Sequence, residues 1–177
     1  WSPNINIFRD PRWGRIEETF GEDPYLASQM GLAFVRPLEA AGVVCTPKHF
    51  VVNVGAGGRD SYPIGLSERA LYMSHYRPFL TAFHEGKARS VMSAYNSFDG
   101  NACSASEKLL NETLKKDWGF KGFVVSDWED FIMLHTVHRT APTIAEAAIQ
   151  AFNAGVDMSM VPSNPQYKTY CQDMVKA

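Results

Sequence analysis

Cysteine is scarce in this sequence. Cys45, Cys103 and Cys171 are an odd number without paired metal spacing, so they define neither a disulfide framework nor a zinc site. An excess of either charge is also lacking. Lys+Arg 17 against Asp+Glu 19 leaves a formal charge of -2, too balanced for the basic footprint that neutralises nucleic-acid phosphates. Nowhere does an apolar run approach the ~18 to 20 residues that a membrane helix needs, because charge, glycine or proline interrupts each one. Low-complexity tracts and internal sequence repeats are absent. What is present is the material of a globular domain. The 177 residues are 45% hydrophobic and 12% aromatic, a mix that rules out a disordered or collagen-like chain. The first residue is Trp1, with no charged or apolar leader after it, so the expectation is an excerpt of a longer chain whose signal peptide, if any, is out of view. The one glycosylation sequon, at Asn111, falls in an expected helix and matters only in a secreted eukaryotic protein.

Short apolar runs alternate with longer segments of helical period. That rhythm predicts a parallel sheet covered by helices. Five runs read as strands apolar on both faces: 4–8, 42–46, 90–94, 122–126 and 155–160. Helix starts are expected at Asp23-Pro24, which pairs a capping acceptor with a proline at the first helical position, and at two capping boxes, Ser104 with Glu107 and Thr143 with Glu146. The first helix is expected to run toward Ala40. Ile144, Ala147, Ala148, Ala151 and Phe152 form the stripe that one helix face needs to pack on a sheet. Pro37 and Pro78 are expected to end or kink their helices. After Val161 a Pro-Ser-Asn-Pro-Gln loop leads to an expected short helix over 167–176. The layout fits an open doubly wound sheet or an incomplete (β/α)8 TIM-like barrel, since 177 residues fall short of the ~250 typical of a closed barrel.

Polar residues follow each run. Arg9, Asp10, Arg12 and Arg15 come after the first, Lys48-His49 after the second, Tyr95-Asn96 after the third and Asp127-Trp128 after the fourth, while Asp157 lies in the fifth. In parallel α/β folds the C-terminal strand ends converge on the ligand site, so these side chains are expected to share one rim. Donors able to surround a polyhydroxylated substrate, a carboxylate and an aromatic platform together point to a sugar. Asp157 and the Glu22-Asp23 pair read as structural, and Gly55-Ala56-Gly57-Gly58 reads as a flexible loop bringing Arg59 and Asp60 over the rim.

Five motifs in order then meet a known family. Arg12-Trp13-Gly14-Arg15, Phe20-Gly21-Glu22-Asp23-Pro24, Lys48-His49-Phe50, Val91-Met92-Ser93-Ala94-Tyr95-Asn96 and Trp118 through Ser126-Asp127-Trp128 resemble the barrel domain of glycoside hydrolase family 3. The resemblance spans roughly residues 1–160. It implies that Asp127 is the nucleophile, that Arg15, Lys48 and His49 bind hydroxyls of the innermost sugar, that Tyr95 lies beside the nucleophile, that Met92 lines the wall and that Trp128 stacks on the neighbouring sugar. It also implies that residues 1–177 are part of an N-terminal catalytic barrel, that a second α/β domain downstream supplies the acid/base glutamate, and that the protein is periplasmic or secreted.

The expected reaction is retaining hydrolysis of terminal β-D-glucosides, with an oligosaccharide or aryl β-glycoside as substrate and no cofactor or metal. An N-acetylglucosaminidase branch places a histidine shortly after Lys-His-Phe, and 51–60 contains none. β-Xylosidase action is the nearest alternative. Two others stand beside it: a Schiff-base aldolase using Lys48, with Asp127 as proton carrier, and a carbohydrate-binding remnant that has lost its acid.

Overall fold

The computed structural model describes residues 1–54, 58–60, 63–160 and 172. Its elements follow the expected alternation. Helix α1 (Pro24–Ala40) is followed by α2 (Glu68–Ala70), a π-turn over Leu71–His75 and α3 (Tyr76–His84). Strand β1 (Ser90–Met92) then precedes a small antiparallel pair, β2 (Ser97–Phe98) and β3 (Asn101–Ala102), and a π-wound helix over Lys108–Asp117. Strand β4 (Phe123–Trp128), helices α4 (Asp130–Thr136) and α5 (Ile144–Ala154) and strand β5 (Met158–Met160) complete the order. Except for residue 172, the helix expected over 167–176 lies outside the described residues, as do 55–57 of the glycine-rich loop.

The strands run parallel in the order β1-β4-β5, with Met92 opposite Val125 and Val125 opposite Met158. Two earlier segments extend the arc by single parallel bridges, Asn4 with Lys48 and Phe50 with Ser93. Their backbone bonds are continuous with the sheet: Ile5 N–H to Lys48 C=O at 3.0 Å and Ala94 N–H to Phe50 C=O at 2.8 Å. Five chain segments therefore lie side by side in sequence order, as in an arc of a (β/α)8 barrel, and the described sheet does not close.

The second segment differs from the sequence reading. Val43 and Val44 are 52% and 44% exposed, and of the expected run 42–46 only its last residue, Thr46, pairs, with Lys48 and Phe50 carrying the pairing onward. The apolar run of Gly42–Cys45 is the approach to the sheet. Glu39 anchors it there, since its buried Oε1 accepts from the Cys45 N–H at 2.8 Å and from the Arg89 N–H at 3.1 Å.

Local chemistry explains the helix ends. Asp23 accepts from Leu26 N–H ahead of Pro24, and Thr143 accepts from Glu146 N–H while its hydroxyl donates to the Glu146 carboxylate. The Ser104 box does not form. Ser104 is fully buried and donates to Asp130, while Ser106 caps the following helix by accepting from Leu109 N–H. Pro37 does not end α1, which continues to Ala40. Pro78, the third residue of α3, does not end its helix either, which continues to His84. The π-turn before it shifts the pairing so that Tyr76 N–H reaches Leu71 C=O.

The core lies between the arc and its helices. Phe50 is its centre, with Phe79 and Trp118 edge-on at 5.2 and 5.6 Å and Tyr76 stacked at 6.0 Å. Ile5, Val91, Val124, Leu110, Leu134 and Ala148 belong to the same cluster. Met92 and Val125 are buried but stand outside it, on the opposite face of the strands. Asp127 follows two residues beyond Val125, where the register of β4 against β5 shifts between Val125 and Trp128.

Candidate active site

Strand β4 carries the chain of Val125, Ser126 and Asp127 to the C-terminal edge of the arc, and Asp127 is 8% exposed there. Its Oδ1 accepts from the Trp128 backbone N–H at 2.6 Å. Its Oδ2 is 3.5 Å from His49 Nε2. Both atoms are buried, and neither has a hydrogen-bond partner among the described residues. The Tyr95 hydroxyl lies beside the same carboxylate and donates to the Trp128 carbonyl at 2.6 Å. His138 Nε2 is 2.8 Å from the Tyr95 carbonyl and fixes that segment from the far side.

The cations come from the earlier segments. Arg15 is 7% exposed, with Nε and Nη2 donating to the two oxygens of Glu18 at 2.7 and 2.8 Å and Nη1 3.6 Å from Asp60. Lys48 is half-buried, and Arg15, Glu18 and Asp127 all act on its charge. His49 is fully buried and held by Asn6 on three atoms: Nδ2 donates to the His49 carbonyl at 2.9 Å, and Oδ1 accepts from the His49 N–H at 2.8 Å and faces Nδ1 at 2.9 Å. Trp13, also fully buried, donates its indole N–H to Asn53 at 3.2 Å beneath this rim.

Burial sets the ionisation of the group. It pushes Asp127 above the usual carboxylate range, opposed by the Trp128 N–H and by Arg15. It lowers Lys48, helped by the Arg15 charge, and drives His49 well below the ordinary imidazole value, helped by Arg15, Lys48 and Arg59. The Arg15 hydrogen bonds hold Glu18 low. Tyr95 is raised, first by burial and then by the Asp127 charge. The result is a buried carboxyl and a neutral imidazole facing one another, with Arg15, Lys48 and Arg59 acting on the ring.

Of the residues singled out from sequence, Arg15, Lys48, His49, Tyr95 and Asp127 come together, and Met92 pairs in register with Val125 on the strand face below Asp127. Trp128 adjoins them through its backbone, while its side chain is 47% exposed. Arg12 is turned away to Asp10, which it grips at the exposed surface. Asp157 lies at the other end of the strands, accepting from Val124 N–H and pairing with Lys115, each at 2.8 Å. A cavity of about 880 Å³ opens at that end, lined by Phe83, Trp118, Lys121 and Asp157. None of the rim residues borders it.

Three residues of the site carry no strong signal in the sequence. Asn6 lies in an apolar run, and Glu18 lies in a charge run of which Glu22 and Asp23 read as a solvated loop and cap, its spacing of three from Arg15 being the pairing distance on a helical turn. Asp130 sits immediately behind Asp127, 1% exposed, accepting from the Ser104 hydroxyl and, at 3.5 Å, from Ser93. Burial pushes it up to about 7, with the Asp127 charge adding to the rise. No group of three or more His, Cys, Asp or Glu able to hold a metal ion occurs among the described residues.

Residues 1–177 match the model of the glycosyl hydrolase family 3 N-terminal domain from end to end. The chain belongs to glycosyl hydrolase family 3. It is 38% identical to a β-xylosidase of Formosa agariphila over 99% of its length and 26% of the relative's. It is 36% identical to the periplasmic β-glucosidase of Salmonella typhimurium over 100% of its length and 24% of the relative's. A solved β-glucosidase from Erythrobacter marinus superposes with a TM-score of 0.89 at 36% identity, covering 98% of this chain and 24% of that one. This family 3 chain thus spans about a quarter of the length of the relatives it matches.

Proposed function

We propose that this chain supplies the nucleophile and innermost sugar subsite of a retaining β-glycosidase acting on terminal β-D-glucosides. The observation that carries the reading is the facing pair of buried acceptors, Asp127 Oδ2 and His49 Nε2, 3.5 Å apart and without donors among the described residues, beside Arg15 and Lys48. Buried polar atoms left open in a preorganised site call for a ligand rich in hydroxyl donors and acceptors. Asp127, kept anionic by the Trp128 N–H and by Arg15, forms a bond to the anomeric carbon as the bond to the leaving oxygen breaks and that oxygen takes a proton from a general acid. Water then attacks the glycosyl-enzyme, returns a proton to the acid and frees Asp127. Arg15, Lys48 and His49 bind hydroxyls of the reacting sugar, Tyr95 holds the nucleophile's neighbourhood, Met92 closes the wall and Trp128 offers its exposed ring to the adjoining sugar.

The carboxyls around Asp127 have other commitments. Glu18 grips Arg15 with both oxygens, Asp60 lies between Arg15 and Arg59, and Asp130 is sealed behind the strand. We propose, as the resemblance to family 3 implies, that the general acid comes from a second α/β domain downstream of this barrel portion. Labelling with a 2-fluoro β-glucoside carrying a good leaving group tests the reading: the adduct is expected on the peptide containing Asp127, and an adduct elsewhere or none at all refutes it.

A β-xyloside is the second substrate reading, favoured by the name of the Formosa relative. Aryl β-glucoside and β-xyloside compared by kcat/KM on one preparation decide between them.

A further inference from the structure

We infer that Asn6 is a positioning residue that locks His49 in the Nδ1–H tautomer, so that His49 meets the substrate as a hydrogen-bond acceptor and demands a hydroxyl donor there. The inference rests on the glycosidase reading above and specifies how one of its contacts works.

The backbone settles the orientation of the Asn6 amide. A carbonyl can only accept and an N–H can only donate, so the atom facing the His49 carbonyl at 2.9 Å is the amide nitrogen, and the atom facing the His49 N–H at 2.8 Å is the amide oxygen. That same oxygen lies 2.9 Å from His49 Nδ1. An amide oxygen has no proton to give, so Nδ1 must carry one. The side chain of Asn6 is itself buried, at 2% exposure, and has no room to turn.

The other ring nitrogen follows from the first. The charged groups that act on the ring are Arg15, Lys48 and Arg59, all cationic, which with burial oppose a second proton. Among the described residues, Asp127 is the carboxylate paired with it, at 3.5 Å. Nε2 therefore presents a lone pair, and so does Asp127 Oδ2 opposite it; both lack a donor among the described residues. Two acceptors 3.5 Å apart repel unless something donates to them. A sugar hydroxyl does so. Fluorine, which accepts weakly and cannot donate, does not.

The test uses the full-length enzyme and phenyl 1-thio-β-D-glucoside as a competitive inhibitor, together with its congeners in which each hydroxyl in turn is replaced by hydrogen or by fluorine. The position served by His49 is the one whose deletion weakens binding to wild type but not to His49→Ala. There the deoxy and fluoro congeners are both expected to lose about 10- to 100-fold, the loss of one buried hydrogen bond. A fluoro congener that keeps its binding while the deoxy one loses it would overturn the inference, because Nε2 would then be donating. Asn6→Asp places a carboxylate against Nδ1 and favours the doubly protonated ring, so in that variant the fluoro congener is expected to bind better than the deoxy one. The nitrogen-15 ring shifts of His49, identified by their absence in His49→Gln, give a reading independent of any sugar. Nδ1 protonated and Nε2 bare supports the inference, and the reverse overturns it. Failure of every thioglucoside, and of phenyl 1-thio-β-D-xyloside, to compete would overturn the glycosidase reading, whereas the ring shifts decide the tautomer by themselves.

Discussion

Asp130→Asn isolates one buried carboxyl whose protonation the fold controls. The side chain accepts from Ser104 and Ser93 in a fully enclosed position, and burial pushes it up to about 7 from 3.8. The folded chain thus keeps a proton that the unfolded chain releases at lower pH, and stability falls as pH rises between about 4 and 7. From those two values the carboxyl costs roughly 1.7 kcal/mol at pH 5 and roughly 4 kcal/mol at pH 8, a difference of about 2.5 kcal/mol. Asparagine is isosteric, still accepts from Ser104 and never charges. Urea unfolding of the intact enzyme at the two pH values, followed by tryptophan fluorescence, is expected to show the variant gaining about 2.5 kcal/mol on wild type between pH 5 and pH 8. Parallel curves would refute the reasoning, since they would mean that Asp130 is ionised in the folded chain throughout.

Asp127→Asn is expected to abolish turnover in the full-length enzyme with folding intact, checked by circular dichroism and an aryl β-glucoside assay; activity within about tenfold of wild type contradicts the nucleophile assignment. Lys48→Ala is expected to lower kcat as well as kcat/KM, by about 2 to 4 kcal/mol of transition-state stabilisation, whereas a change in KM alone places it outside the reacting subsite. Phe50→Ala removes the ring at the centre of the aromatic cluster and is expected to cost about 3 to 5 kcal/mol in urea unfolding. Gly122→Ala sets a methyl group against the Arg89 carbonyl, where Phe123 N–H begins the β1–β4 pairing, and is expected to cost about 1 to 3 kcal/mol by the same measurement.

Much of the architecture is legible in the sequence because parallel strands covered on both faces leave uninterrupted apolar runs: 90–94 and 155–160 each contain a parallel strand, and 122–126 covers the start of β4, which runs on to Trp128. Val43 and Val44 mislead for the same reason: an apolar approach to a strand looks like the strand until its exposure is known. Ser104 shows a different limit. Its spacing to Glu107 satisfies a local capping rule, but a buried carboxyl 26 residues further on claims the hydroxyl. The rim is legible through the positions just after the strands. Its supports are not, since Asn6 holds His49 across 43 residues and nothing near either one announces the partner.

Trp128 is joined to the site by its main chain on both sides, with its N–H on Asp127 and its carbonyl taking the Tyr95 hydroxyl, while nearly half of its side chain is open. Those two contacts do not depend on what the side chain is. On the proposed reading of the site, position 128 is consequently a place where one ring can be exchanged for another, or for a smaller group, while the main-chain bonds that hold the carboxylate next to it do not change.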